Sequence, residues 1–304
     1  MRNSFIQWLC AKAEIDQRIV LLTADLGYSV VEPFATKYPD RFINVGVAEQ
    51  NMVGIAAGMA TEGYRPFTYS IGVFPTYRCA EQLRNDVDYH NLPVCTCTVG
   101  SGVAYGSLGY SHHAVQDLAL VRSLPNTSIA TPSDSFEVEG ILNWHLDQES
   151  PTYLRLHKSG EPKIHSYTPT LDLGTPLNIN DPSHRDDVCI VAIGFLAFHA
   201  KKILAELNVS INLYSLPLWG QKSSDKFCMA VSNYQTIITL EDHLLAGGLA
   251  SWVLESLAIR SLPNKVIPIA LSSSSVGQVA SEATLIKPLL QELRDLLQKL
   301  ATYR

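Results

Sequence analysis

Along the chain, short runs of aliphatic and β-branched residues alternate with longer segments in which apolar residues recur at helical spacing. The runs RIVLLTADL (18–26), FINVGV (42–47), PFTYSI (66–71), PVCTCTVG (93–100) and SIATP (128–132) read as strands, and FINVGV is apolar enough to be a buried one. Strands separated by helix-length segments imply crossover connections, hence a mostly parallel sheet covered by helices on both faces. A second alternating series begins at VCIVAIG (188–194), continues through a helix around His199 to Leu207 and the strands SINLYSL (210–216) and TIITLED (236–242), and ends in LIKPLLQELRDLLQKL (285–300). That last segment has apolar positions at helical spacing and charges elsewhere, so one face packs and the other meets water. The expected fold class is therefore α/β, as two consecutive three-layer α/β/α domains with mostly parallel sheets. They span residues 1–165 and 187–304, joined by a linker at 166–186 within a stretch rich in Pro, Thr, Ser and Asp.

Composition narrows the function classes without choosing one. With 304 residues, 46% of them hydrophobic and 17% charged, the chain can bury the cores of about two domains. A net charge of −6, with no basic run and no interleaving of basic and aromatic residues, argues against a nucleic-acid surface. The N-terminal segment MRNSFIQWLCAKAEID is amphipathic and contains acids, unlike a signal or transit peptide, and no apolar run is long enough to span a bilayer. A soluble, cytoplasmic protein is expected. Cys95 and Cys97 stand at i, i+2 on one strand face, and the scatter of the six cysteines favours reduced thiols over a disulfide framework.

The stretch Arg41 to Gly63, RFINVGVAEQNMVGIAAGMATEG, sets Glu49 where an apolar strand gives way to a helix rich in small residues. An acid in a first helical turn complements the helix dipole, and on spacing alone that suffices to explain it. The small residues Gly54, Ala56, Ala57 and Gly58 suit close approach by neighbouring backbone or by a partner chain, and equally suit helix–sheet packing. Asp25, in LLTADLG, reads as a turn or cap residue before Gly27. The adjacent His112 and His113 have no Cys or acidic partner at ligand spacing, so metal ligation is not expected of them.

Three blocks in order, VGVAEQNMVGIAAGMA, YRPFTYSIGVFPTYRCAEQLRNDV and GYSHHAVQDLALVRSLPN, resemble the pyrimidine-binding domain of transketolases and 1-deoxyxylulose-5-phosphate synthases. The resemblance continues through TPSDSFEVEGIL and PTYLRLHKSGEP, and TIITLEDHLLAGGLASWVLE is similar to the C-terminal domain of that family. It implies that Glu49 hydrogen-bonds N1′ of the aminopyrimidine of thiamine diphosphate and so activates the cofactor. It also implies that Phe74 stacks on the pyrimidine with Tyr77 one turn on, that Asp25 lies near the thiazolium side, and that His112 moves protons at the substrate's oxygens. Lys158 stands where the family has an arginine that grips the substrate phosphate, with Arg155 and His157 as alternatives that could equally be surface charges at the strand end. For His243 a packing role is expected.

Departures from the family pattern carry information too. Ile71 stands where the family has a Phe, so that side of the pocket is expected to be less aromatic; Gly100 and Leu108 replace a His and an acid of ordinary transketolases, which puts the usual donor sugar in doubt. The family binds the diphosphate through Mg2+ or another divalent metal held by a Gly-Asp-Gly…Asn segment, and no Gly-Asp-Gly occurs in this chain. The resemblance therefore implies the C-terminal subunit of a split transketolase. Its partner would be an N-terminal subunit carrying the metal site, in an α2β2 assembly, and the enzyme would transfer a two-carbon ketol unit from a ketose or ketose phosphate to an aldehyde. Two alternatives stay open: a 1-deoxyxylulose-5-phosphate-synthase-like carboligase that decarboxylates a 2-oxo acid, and a non-catalytic structural or regulatory subunit.

Overall fold

A computed structural model describes residues 1–158, 160–180 and 187–302. Residues 181–186 of the expected linker lie outside the described residues. In chain order the strands are β1 (Ile19–Thr23), β2 (Phe42–Asn44), β3 (Arg65–Ile71), β4 (Cys95–Val99), β5 (Ser128–Ala130), β6 (Thr152–Leu156), β7 (Leu177–Asn178), β8 (Val188–Ala192), β9 (Asn212–Ser215), β10 (Leu218–Trp219), β11 (Thr236–Leu244) and β12 (Lys265–Leu271). The helices are α1 (Arg2–Ile15), α2 (Glu32–Lys37), α3 (Glu49–Thr61), α4 (Ala80–Gln82), α5 (Asp117–Val121), α6 (Ser135–Leu146), α7 (Leu196–Leu207), α8 (Ser224–Val231), α9 (Leu249–Ile259) and α10 (Glu282–Thr302).

Among the described residues the strands form a seven-stranded sheet in the order β10-β5-β6-β4-β3-β1-β2 and a five-stranded sheet in the order β12-β11-β8-β9-β7. All pairings are parallel except β10 with β5 and β7 with β9, both short strands at sheet edges. Burial explains the order. β1, β4, β5, β6 and β8 are buried at every position, as strands covered on both faces must be. FINVGV departs from the expected buried strand: only Phe42–Asn44 pair, at the edge next to β1, and they are partly exposed. The run stops because Gly46 takes a φ of 71° and turns the chain toward α3.

The two sheets are interlocked. β10 follows β9 of the second sheet yet pairs with β5 of the first, and β7, from the stretch read as a linker, closes the second sheet against β9. Helix α1 buries Phe5, Ile6, Trp8, Leu9 and Ala13 against the first sheet, and α10 buries Leu285, Ile286, Leu289, Leu293 and Leu297 at helical spacing over the second. Cys95 and Cys97 do share a face, with Sγ atoms 3.6 Å apart, and are free thiols.

A buried arginine joins the halves. Arg155 on β6 pairs with Asp117 of α5 through Nε at 2.7 Å and with Asp242 of β11 through Nη1. Its Nη2 donates to the Ala114 carbonyl at 2.7 Å. All three charged groups are excluded from water, so removing one would strand the others.

Candidate functional site

In parallel sheets the carboxyl ends of the strands open into the crevice where ligands bind. Here the segments that leave β1, β2, β3, β4 and β6 at that end carry nearly every residue singled out in the sequence.

Glu49 is the first residue of α3, and only 4% of it is exposed. Ala48 precedes it and offers no side-chain cap, so the acid stands alone at the helix start. Its Oε1 accepts a 2.8 Å hydrogen bond from Nη1 of Arg78, whose side chain is 51% exposed. The same guanidinium lies over the ring of Phe74, 4.2 Å from its centroid. Phe74 and Arg78 are the two ends of a π-helical turn, Phe74–Arg78, that follows β3. Such widened turns occur often at functional sites, and this one brings Arg78 to Glu49 and over Phe74 at once. Cys79, the next residue, is buried beside Glu49, and burial first and the neighbouring carboxylate second push its thiol up to about 12.

Phe74 meets His112 edge to face at 5.6 Å, and Tyr105 meets His112 likewise at 6.4 Å. His112 is thus held between two aromatic rings, with Nδ1 3.0 Å from the Ser111 hydroxyl. Burial, and then the charge of neighbouring His113, lower its pKa below the ordinary histidine value, so the imidazole is neutral at pH 7. His113 turns the other way: it is buried, Nε2 is 3.4 Å from the Gly106 carbonyl, and Nδ1 accepts from the Gly277 amide at 3.4 Å. Tyr77 is partly exposed and, with Val73, Tyr110, Ser111, His113 and Gln116, lines a cavity of about 430 Å³ beside this cluster. Burial raises the pKa of its phenol, which stays protonated at any physiological pH.

The departures in the third block are rebuilt with aromatic and apolar groups. Gly100 has a φ of 90°, and a Cβ there would fall 2.2 Å from Cε2 of Tyr105. The Tyr105 ring therefore fills the place that a larger side chain at position 100 would need. Leu108 is 55% exposed at the rim, as is Tyr110 to a similar degree.

Two candidates stand apart from the Glu49–Phe74–His112 group. Asp25 is exposed with a φ of 55°. Its amide donates to Asn44 Oδ1 at 3.0 Å, and its Oδ1 accepts from the Tyr28 hydroxyl at 3.0 Å. Lys158 reaches the loop before Tyr105, donating from Nζ to the Ala104 carbonyl at 3.0 Å, and pairs with Glu282 at 3.1 Å. Glu282 also binds His157 Nε2 at 2.6 Å, while the His157 ring stacks on Phe195. Burial raises the Glu282 carboxyl, but the His157 bond and the two basic neighbours outweigh it and hold the pKa below the usual value. Neither Arg155 nor His157 is a surface charge, as the strand-end position had suggested; both are buried and committed to acids.

His243 is buried in packing, with Nδ1 donating to the Leu244 carbonyl at 2.6 Å. Glu241 caps α9, accepting from the amides of Leu249 and Ala250 at 2.6 and 2.9 Å. Among the described residues there is no cluster of three or more His, Cys, Asp or Glu side chains that could hold a metal ion, and no helix is long and apolar enough to cross a membrane.

Arg78, Tyr105 and Glu282 escaped the sequence reading. Arg78 had a signal, lying four residues after Phe74 on one side of a helical turn. Glu282 had none, being more than a hundred residues from its partners.

Comparison with known proteins fits this geometry. The family "Transketolase, pyrimidine binding domain" matches residues 1–162. A protein of Phocaeicola vulgatus, named as one of the subunits of an apulose-4-phosphate transketolase, is 30% identical over 273 residues, covering 88% of this chain and 86% of its own length. A putative transketolase C-terminal section of Methanocaldococcus jannaschii is 31% identical over 278 residues, covering 90% and 86%. A solved structure described as a split gene transketolase, inactive beta4 tetramer, superposes with a TM-score of 0.83 at 28% identity, covering 98% of this chain and 96% of its own. The chain belongs to the transketolase family, in which it matches the C-terminal or beta-subunit type of the split, two-chain members.

Proposed function

We propose that this chain is the pyrimidine-side subunit of a two-chain, thiamine-diphosphate-dependent transketolase that moves a two-carbon ketol unit from a ketose to an aldehyde. The observation that carries the reading is the buried Glu49 carboxylate beside Phe74 at the start of α3. Arg78 donates to Glu49 Oε1 and lies over Phe74, so one side chain spans the acid and the ring. An aminopyrimidine needs an acceptor for a ring N–H and an aromatic face, and Glu49 and Phe74 supply one of each.

The cofactor, when bound, supplies a carbon nucleophile that permits cleavage next to a ketose carbonyl. The chain's own residues prepare and serve it. Glu49 shares a proton with the pyrimidine N1′, and Phe74 gives the ring a stacking face with Tyr77 one turn on, while Asp25, apart from this group, serves the thiazolium side. His112, neutral at pH 7 and fixed by Ser111, takes a proton from the substrate hydroxyl and returns one to the product. Lys158 is the cation available to an anionic substrate group.

The donor set of this chain does not fit a diphosphate with its metal ion, because the described residues offer no carboxylate cluster for one. A second chain of the N-terminal transketolase type would hold Mg2+ and the diphosphate, in an α2β2 assembly. The outward face of α3, with open space at Gly54 and Gly58, and the exposed Val47, Tyr28 and Tyr110 around the crevice give such a partner an apolar, close-approach surface.

The test is to titrate thiamine diphosphate and Mg2+ into this chain alone and mixed with the partner, then assay ketose consumption with and without CO2 release. Binding and CO2-free ketol transfer only in the mixture, lost in Glu49→Gln with assembly intact, is the expected result. Wild-type turnover by Glu49→Gln refutes the mechanism, and CO2 release from pyruvate would move the chain to the decarboxylating carboligases.

A further inference from the structure

The Glu49 side chain has two oxygens and one salt-bridge partner. Nη1 of Arg78 takes Oε1 at 2.8 Å, and the carboxylate is almost fully buried while the arginine is half exposed. A buried carboxylate free to rotate about its last bonds could present either oxygen, or neither, to a ligand. The bond from Arg78 engages Oε1, and a carboxylate held at one oxygen presents the other in a fixed direction.

The arginine is itself fixed at three points. Its backbone closes the turn Phe74–Arg78, its guanidinium carbon lies over the Phe74 ring 4.2 Å from the centroid, and its Nη1 meets Glu49. The ring contact and a directed hydrogen bond together restrain a planar group, which a lysine ammonium is not. The acid and the aromatic ring, from different elements, are thereby held in one geometry by a single side chain.

Resting on the function proposed above, we infer that Arg78 is a positioning residue for the cofactor-activating acid: it pins Glu49 Oε1 so that Oε2 is left to share the proton with the pyrimidine N1′. It touches neither substrate nor the reacting carbon. The same geometry has a rival reading, in which the guanidinium merely fills the ring's place in the free chain and is expelled on binding. The two differ in sign: a positioning residue makes activation faster, whereas a placeholder makes binding weaker.

The experiment uses the mixed two-chain complex with thiamine diphosphate and Mg2+, comparing wild type, Arg78→Gln and Arg78→Lys. Two quantities are read without substrate: the cofactor Kd by titration, and the rate at which the C2 proton of saturating bound cofactor exchanges with solvent deuterium. Expected for Arg78→Gln is a 10- to 100-fold slower exchange with Kd changed less than about threefold, and partial recovery in Arg78→Lys, which keeps the charge and loses the plane. Exchange at the wild-type rate in Arg78→Gln overturns the inference and leaves the proposed function standing. A Kd that tightens tenfold with exchange unchanged also overturns it, in favour of the placeholder. If wild type binds no cofactor in the complex, the function proposed above falls and this inference with it.

Discussion

Replacing Gly54 and Gly58 of α3 by alanine separates what this helix does inside the chain from what it does for a partner. At both positions nothing lies within 4 Å of where a Cβ would sit, and neither has a positive φ. Their neighbours Ala56 and Ala57 are buried against the sheet, so the small residues divide into an inward pair and an outward pair. In the isolated chain each alanine removes the helix-interior penalty of glycine, about 0.8–1.0 kcal/mol, for a combined gain near 2 kcal/mol. In the complex the sign should reverse. If a second chain packs its backbone against this face, two extra methyl groups overpack the contact at about 1–3 kcal/mol each, weakening association roughly tenfold or more. Urea unfolding of the isolated double variant, at several protein concentrations to exclude self-association, gives the first number. A binding titration with the partner chain gives the second. Unchanged affinity for the partner would refute α3 as the contact face, and a destabilised isolated chain would refute the reading of its outward side as open.

Other perturbations test other parts of the structure. Gly248→Ala places a Cβ 2.0 Å from Glu241 Oε2 and 2.8 Å from His243 Nδ1; with a φ of −82° there is no backbone strain, so displacement of the α9 cap should cost about 2–4 kcal/mol, read by urea unfolding. His145 is buried with its pKa lowered to about 3, by desolvation first and Arg65 second, and Nδ1 lies 2.8 Å from the Thr152 hydroxyl. The unfolded state binds a proton there below pH 6.5 and the folded state does not, so this contribution is present above 6.5 and lost as pH falls toward 3. Between pH 6.5 and 5 wild type should lose about 2 kcal/mol more than His145→Gln, and equal losses in a pH series of unfolding curves would contradict the assignment. Glu282→Gln leaves Lys158 without its counter-ion, so in the active complex it should lower KM for a phosphorylated ketose severalfold while leaving the unphosphorylated ketose unaffected. Lys158→Met should do the opposite.

The layer architecture was legible because parallel strands buried on both faces are mostly apolar or β-branched, as VLL in β1, CTCTV in β4 and VCIVA in β8 are. The failures have physical reasons. FINVGV has the composition of a central strand, but composition does not say which strand ends a sheet, and the neighbour of β1 on that side is the edge. β7 and β10 are two-residue strands whose pairing is set by the halves meeting, not by their own propensity. Around Glu49 the acid and the aromatic positions could be placed by their motif, whereas Arg78 was missed although it stands four residues after Phe74. The occupation of the Gly100 space by Tyr105 could not, since it depends on where a loop folds back rather than on any spacing.

The second half of the chain contributes none of the residues grouped around Glu49, yet it supplies acids that pair with the basic residues at the end of β6. Three basic residues, Arg155 within β6 and His157 and Lys158 just beyond its end, follow closely on one segment, and all three are engaged by acids. Asp242 of β11, with Asp117, neutralises Arg155 completely, and Glu282 at the start of α10 takes both His157 and Lys158. Of the three, only Lys158 keeps appreciable exposure, and it is tied by a single ion pair and one bond to a carbonyl. A buried ion-pair network contributes little net stability against an apolar alternative but fixes geometry, because breaking any one member leaves a charge uncompensated. The C-terminal unit therefore sets the charge left at the end of β6, where Lys158 is the cation proposed for the substrate. A chain truncated after β6 would lose Asp242 and Glu282 together, exposing Arg155 and leaving the loop that carries Tyr105 and His112 without its brace.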